Sequence, residues 1–213
     1  MKVLELFAGS RSIGKVFDEN DIYVYSTDIE QFENIDLCVD ILEFDYKSIN
    51  FVPDFIWASP PCTAFSVASI GKNWVSGFTY KPKTEKAEIG ILILNKTIEI
   101  IQYFLKLNPS MIWYLENPRG KMRKSPIWDK FENIRHTVTY CQYGDTRMKP
   151  TDIWTNDKKW KPLPMCKNGD TCHTPAPRGS QTGTQALKGN FERSKIPYNL
   201  CKEIVENYIF NYD

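Results

Sequence analysis

Pro60-Pro61-Cys62 places one thiol after two prolines that restrict the backbone before it. A lone cysteine is more often a buried packing residue, but the flanks of this one are Ser, Thr and Pro rather than core residues. An ordinary thiol, with a pKa of about 8.5, is only slightly ionised at neutral pH, so a nucleophilic Cys62 needs help from cations or turn amides. Arg119, Lys149 and the amides after Cys62 are candidates. Glu116-Asn117-Pro118 is the second group, and Trp113, Tyr114 and Leu115 just before it read as buried. A carboxyl there should have a raised pKa and can hold a proton for a ring nitrogen. Phe7-Ala8-Gly9, with Gly14 beyond, is a turn that lets a ligand approach the backbone closely. Asp28 lies where nucleotide-binding sheets place an acceptor for ribose hydroxyls, and Asp40 can accept from an adenine amino group. Singly, each is more often a surface acid; together they describe an adenosyl pocket.

The elements that must position these groups follow from apolar spacing. Lys2 to Phe7 reads as a strand, Ile13 to Glu19 as a helix, and Tyr23 to Thr27 as a strand ending at Asp28. Phe55 to Ala58 ends at Ser59-Pro60-Pro61-Cys62, and Met111 to Leu115 ends at Glu116. Glu85 to Leu107 has helical spacing between them. Strands alternating with helices predict an α/β fold with a doubly wound, mostly parallel sheet, whose ligands bind beyond the carboxyl ends of the strands. Each polar signature falls at such an end. Thr137 to Gln142 and Asp152 to Thr155 are expected to complete the sheet, and Pro197 to Tyr208 returns to helical spacing.

A chain of 213 residues suits one globular domain with a small appendage. Its net charge of +1 hides an asymmetry: residues 1–108 carry 10 Lys/Arg against 15 Asp/Glu, and residues 109–213 carry 17 against 11. The second half is therefore the better partner for phosphates, although solvated helix faces can give the same imbalance. Six scattered cysteines and an early Glu5 predict reduced thiols and no secretory signal. The longest apolar stretch is broken by Asn95, Lys96, Glu99 and Gln102, so no membrane span is expected.

FAGSRSIG, YSTDIE, SPPCTAFS, LENP and YGDTRMKPTDIW stand in the order and spacing of the motifs of the cytosine-C5 methyltransferases, and the chain resembles compact, phage-type members of that family over residues 1–155. The resemblance implies the S-adenosylmethionine-dependent methyltransferase fold. It implies that Phe7, Ala8, Gly9, Ser10, Asp28, Ile29, Asp40, Ile41 and Pro60 bind S-adenosylmethionine, that Cys62 attacks C6 of a flipped cytosine, and that Glu116 engages N3. Lys149 is the best match to an arginine that contacts the base carbonyl. DNA is the expected substrate, with RNA, or a non-catalytic nucleic-acid-binding role, as alternatives. A monomer in the cytoplasm of a bacterial or phage-infected cell is expected. Departures are Arg11-Ser12 where the family has glycines, Pro118 after Glu116-Asn117, and Arg193-Ser194-Lys195 in place of Gly-Asn-Ser.

The expected organisation is a catalytic unit at 1–155, a target-recognition region at 156–192 and a C-terminal helix at 193–213. The middle region lacks a core pattern and is rich in Lys, Pro, Gly and Thr. Lys158 and Lys159 are expected on phosphates, and Arg178, Gln181 and Gln185 on base edges. Arg119, Lys121 and Arg123 form a second basic candidate. Cys166, Cys172 and His173 invite a zinc reading, but C-x5-C-H is not a standard finger, and no metal is assigned.

Overall fold

The computed structural model describes residues 1–167, 169–175 and 189–212. Seven strands form one sheet: β1 (Val3–Leu6), β2 (Val24–Asp28), β3 (Leu37–Cys38), β4 (Phe55–Ala58), β5 (Ile112–Pro118), β6 (Ile134–Thr139) and β7 (Pro150–Thr155). Their order is β3-β2-β1-β4-β5-β7-β6, parallel except for β7, which runs antiparallel to both neighbours. This is the doubly wound α/β sheet expected. The helices are α1 (Gly14–Asp18), α2 (Ile70–Asn73), α3 (Glu85–Leu107), α4 (Asn190–Ser194) and α5 (Tyr198–Tyr212). None among the described residues is long and apolar enough to cross a membrane.

The two-residue period of the strands divides the core into two layers. Leu4, Leu6, Ile56, Ala58, Trp113 and Leu115 face α3, meeting Leu94, Ile98, Ile101 and Phe104. Their neighbours Val3, Phe55, Trp57, Ile112 and Tyr114 face the other way, against Phe17 of α1 and Leu200, Ile204 and Val205 of α5. Full burial of each such side chain stabilises the fold by about 1.5–3 kcal/mol. The start of α3 is fixed by Thr84, whose hydroxyl accepts the Ala87 amide, and Glu85 and Glu88 favour its positive end.

Several boundaries differ from the sequence reading. β5 continues to Pro118, so Glu116 and Asn117 lie within the strand and not beyond it, because β7 lengthens the pairing with Glu116 opposite Ile153. β6 stops at Thr139, and residues Tyr140–Tyr143 form a 3₁₀ turn closed by Gly144 at φ +88°. β3 and α4 are too short to leave a periodic signal.

Candidate active site

The sheet's carboxyl edge carries the thiol. β4 ends at Ala58, and Cys62 opens a 3₁₀ turn, Cys62–Ala64, whose first carbonyl accepts the amides of Phe65 and Ser66. The turn is clamped to the end of β5. Asn117 donates Nδ2–H to the Pro60 carbonyl at 2.8 Å, and the Lys121 amide donates to the Phe65 carbonyl, also at 2.8 Å. Between them Gly120 packs so closely that a Cβ would stand 2.2 Å from that carbonyl oxygen. Asn117 is thus a positioning residue that the sequence reading did not single out; its neighbour Glu116 drew the attention.

Glu116 is buried and accepts the Tyr140 hydroxyl at 2.9 Å. Burial raises its pKa, opposed by the positive charge of Lys149 and the Tyr140 hydrogen bond. Lys149 sits over the Tyr140 ring, 4.5 Å from its centroid, and donates to the Arg193 carbonyl at 2.9 Å. Burial lowers its pKa, against the pull of Glu116 and Cys62. Cys62 is raised by burial and by the Glu116 charge, while Lys149 and Arg193 favour its thiolate. These mutual effects gather Cys62, Glu116 and Lys149 into one electrostatic unit, and they add Tyr140 and Arg193. Arg147 is buried against Asp145, with its Nη1 lacking a hydrogen-bond partner among the described residues. The tight backbone at Lys149, φ +29°, turns this cationic loop inward.

A second cluster lies along the same edge at β1 and β2. Phe7, Gly9 and Arg11 all have positive φ, at +58°, +49° and +52°. The Gly9 amide donates to Asp28 Oδ2 at 2.8 Å, and the Glu30 amide to its Oδ1 at 3.0 Å. Asp40 accepts the Leu42 amide at 2.9 Å. Ile29 is 64% exposed beside Asp28, an unusual place for a bare isoleucine.

A curated protein from Frog virus 3 (isolate Goorha), a probable DNA (cytosine-5)-methyltransferase, is 32% identical over 178 residues, which is 81% of this chain and 78% of that protein. The chain belongs to the cytosine-C5 methyltransferase family. No family model matches it. Among solved structures, the Entamoeba histolytica methyltransferase EhMeth superposes with a TM-score of 0.54 at 13% identity, over 78% of this chain and 57% of that one. A Spodoptera frugiperda DNMT2 mutant gives 0.47 at 18% identity, over 75% and 51%. The chain therefore spans little more than half the length of these solved relatives, and the fold is what it shares with EhMeth.

A cytosine-C5 methyltransferase uses S-adenosylmethionine, and the β1–β2 cluster fits that cofactor. Asp28 and Asp40 are acceptors held in place by backbone amides, with further lone pairs for ribose hydroxyls and an adenine amino group. Exposed Ile29 offers an apolar face for the base. Arg11, which stands where the family has glycine, points inward: it bonds Ser26 at 3.0 Å and Asp18 at 2.8 Å, close to buried Glu5. Gly14 leaves room for this network, since a Cβ there would lie 2.5 Å from Glu5 Oε2.

Among the described residues, those expected on nucleic acid are not brought together. Arg123 is committed to buried Asp152, with Nε–Oδ2 2.9 Å, and to Thr137, so it supports the sheet instead of meeting phosphates. Lys121 is spent on the Phe78 carbonyl and the Trp74 ring. Because β7 is antiparallel, Asn156 bonds Met111 and Trp113 at the amino edge of the sheet, opposite Cys62. Lys158 and Lys159 follow there, Lys158 paired with Glu132 and Lys159 with the Asn211 carbonyl. Arg119 is exposed at the carboxyl edge. Arg178, Gln181 and Gln185 lie outside the described residues.

Proposed function

We propose that this protein methylates C5 of a flipped cytosine in DNA through a covalent Cys62 adduct. The observation that carries this reading is the single unit formed by Cys62, Glu116 and Lys149 at adjoining strand ends, beside the adenosyl cluster. A neutral Glu116, favoured by burial, donates its proton toward N3 and draws electrons from the ring. The Cys62 sulfur then adds to C6, and the electron pair is delivered to C5. Lys149 favours the thiolate and lies where a cation can meet the base carbonyl as its charge grows. When bound, S-adenosylmethionine supplies an electrophilic methyl group on a sulfonium. Loss of the C5 proton to a base, return of the N3 proton to Glu116 and departure of the Cys62 thiolate restore the aromatic ring, now carrying the methyl, with the demethylated thioether of the cofactor as the other product. Such access requires the base to leave the stack.

DNA is favoured over RNA by the similarity to the Frog virus 3 protein, a probable DNA (cytosine-5)-methyltransferase. The test is transfer of labelled methyl to matched DNA and RNA substrates, followed by nucleoside analysis. 5-Methyldeoxycytidine formed by the wild type and absent with Cys62→Ala supports the proposal. Label confined to RNA contradicts the substrate, and turnover by Cys62→Ala contradicts the mechanism.

A further inference from the structure

Four soft donors converge where the 3₁₀ turn after β6 meets the segment that returns along the sheet. Cys141 Sγ lies 3.2 Å from Cys166 Sγ and 3.5 Å from Cys172 Sγ. His173 Nδ1 lies 3.7 Å from Cys166 Sγ and 3.5 Å from Cys172 Sγ. All four atoms fall within 4.8 Å of one another. A zinc ion with Zn–S bonds of about 2.3 Å and Zn–N bonds of about 2.0 Å separates tetrahedral ligands by roughly 3.5–3.8 Å, so the cluster has nearly the dimensions of a filled site. A disulfide would use only two of the four and needs sulfurs about 2.05 Å apart.

The surroundings are those of a built site. Cys141, Cys166 and His173 are buried, and Cys172 faces outward. The Cys166 amide donates to Thr139 Oγ1 at 3.0 Å, and Gln142 Nε2 reaches Cys172 Sγ at 3.5 Å, a donor suited to a metal-bound thiolate. Between Cys166 and Cys172 the Lys167 amide donates to Asp170 Oδ2 at 2.7 Å, and Gly169 has φ +98°. After His173 the Thr174 amide bonds the Thr146 carbonyl at 2.9 Å. Adjacent Cys172 and His173 do reach one point, although C-x5-C-H is not a standard finger. Cys141, 25 residues before Cys166, was the missing donor, hidden because its segment read as a strand.

We propose that Cys141, Cys166, Cys172 and His173 bind a structural zinc ion that staples Cys166, Cys172 and His173 to the 3₁₀ turn Tyr140–Tyr143. All four positions are protein ligands, so the site is closed and its role is architectural. Cys141 directly follows Tyr140, which holds Glu116, and the same turn leads to Arg147 and Lys149. Binding replaces thiol protons with the metal: three Cys S–H protons go to solvent as Zn–S bonds form, with no redox change.

The full chain, purified without chelator under reducing conditions, is expected to contain about one zinc per molecule by elemental analysis. Exchange with Co2+ should give thiolate-to-cobalt charge-transfer absorption and tetrahedral visible bands. Cys172→Ser removes an outward-facing ligand with little risk to folding and should weaken zinc retention by about tenfold or more, while Cys38→Ser should leave it unchanged. A metal-free protein that shows no tetrahedral cobalt spectrum overturns the proposal. So does a Cys141–Cys166 disulfide recovered under non-reducing digestion from protein prepared with zinc.

Discussion

Cys62, Glu116 and Lys149 illustrate how burial tunes three groups at once. Burial raises the pKa of the carboxyl, lowers that of the lysine and works against a thiolate; their neighbouring charges oppose part of each shift. The proposed cofactor pocket rests on a different residue. Asp28→Ala removes an acceptor held by two backbone amides and should weaken S-adenosylmethionine binding about 10- to 150-fold by calorimetry, the range set by losing one charge-assisted hydrogen bond. Unchanged affinity would take Asp28 out of the pocket. Both acids were legible in the sequence because each stands at the end of an apolar run. Tyr140 was not, since a tyrosine within a predicted strand looks like any other core aromatic, and its bond to Glu116 depends on β7 and β6 folding back beside β5.

At the level of elements, the Cys62 turn depends on its grip on β5. Gly120→Ala sets a methyl against the Phe65 carbonyl, so the turn must shift, and a displacement of this kind should lower kcat by about 100-fold with cofactor affinity largely retained. Equal loss of both would point to general unfolding. The β1–α1 junction carries a pH dependence of its own. Burial raises the Glu5 pKa from 4.5 to about 7, ahead of the opposing bonds from Ser26 and the Arg11 charge. The folded state therefore binds the Glu5 proton more tightly than the unfolded chain. This contribution to stability is fully present below about pH 4.5 and is lost as pH rises through about 7, amounting to about 3 kcal/mol. Glu5→Gln should flatten that part of the denaturation-midpoint profile; an unaltered profile would show that Glu5 ionises normally. Helix α3 and strand β4 were read to the residue because caps and apolar runs mark them sharply. The end of β5 was not, because polar Glu116 and Asn117 are held in the strand by a partner distant in sequence.

On the scale of the molecule, sheet polarity decides which charges can meet substrate. The sequence shows that the second half is basic, but not that β7 carries Lys158 and Lys159 to the amino edge, away from Cys62. Replacing both by Ala should change DNA affinity by less than about twofold and leave its salt dependence intact, whereas Arg119→Ala should reduce the salt slope by about one. The reverse result would place the nucleic acid on the opposite edge. Topology from alternating strands and helices was readable; the antiparallel β7 and the return of the chain to Cys166 are long-range pairings that no local pattern announces. The central claim concerns a bond between this protein and its substrate. A DNA duplex carrying 5-fluorocytosine, incubated with S-adenosylmethionine, should trap the wild-type protein as a denaturation-resistant complex, because fluorine blocks removal of the C5 substituent after Cys62 has added to C6. Peptide mapping should place the link at Cys62, and Cys62→Ala should give no complex while still binding cofactor; a complex linked through another residue, or none from an active wild-type enzyme, would contradict the account.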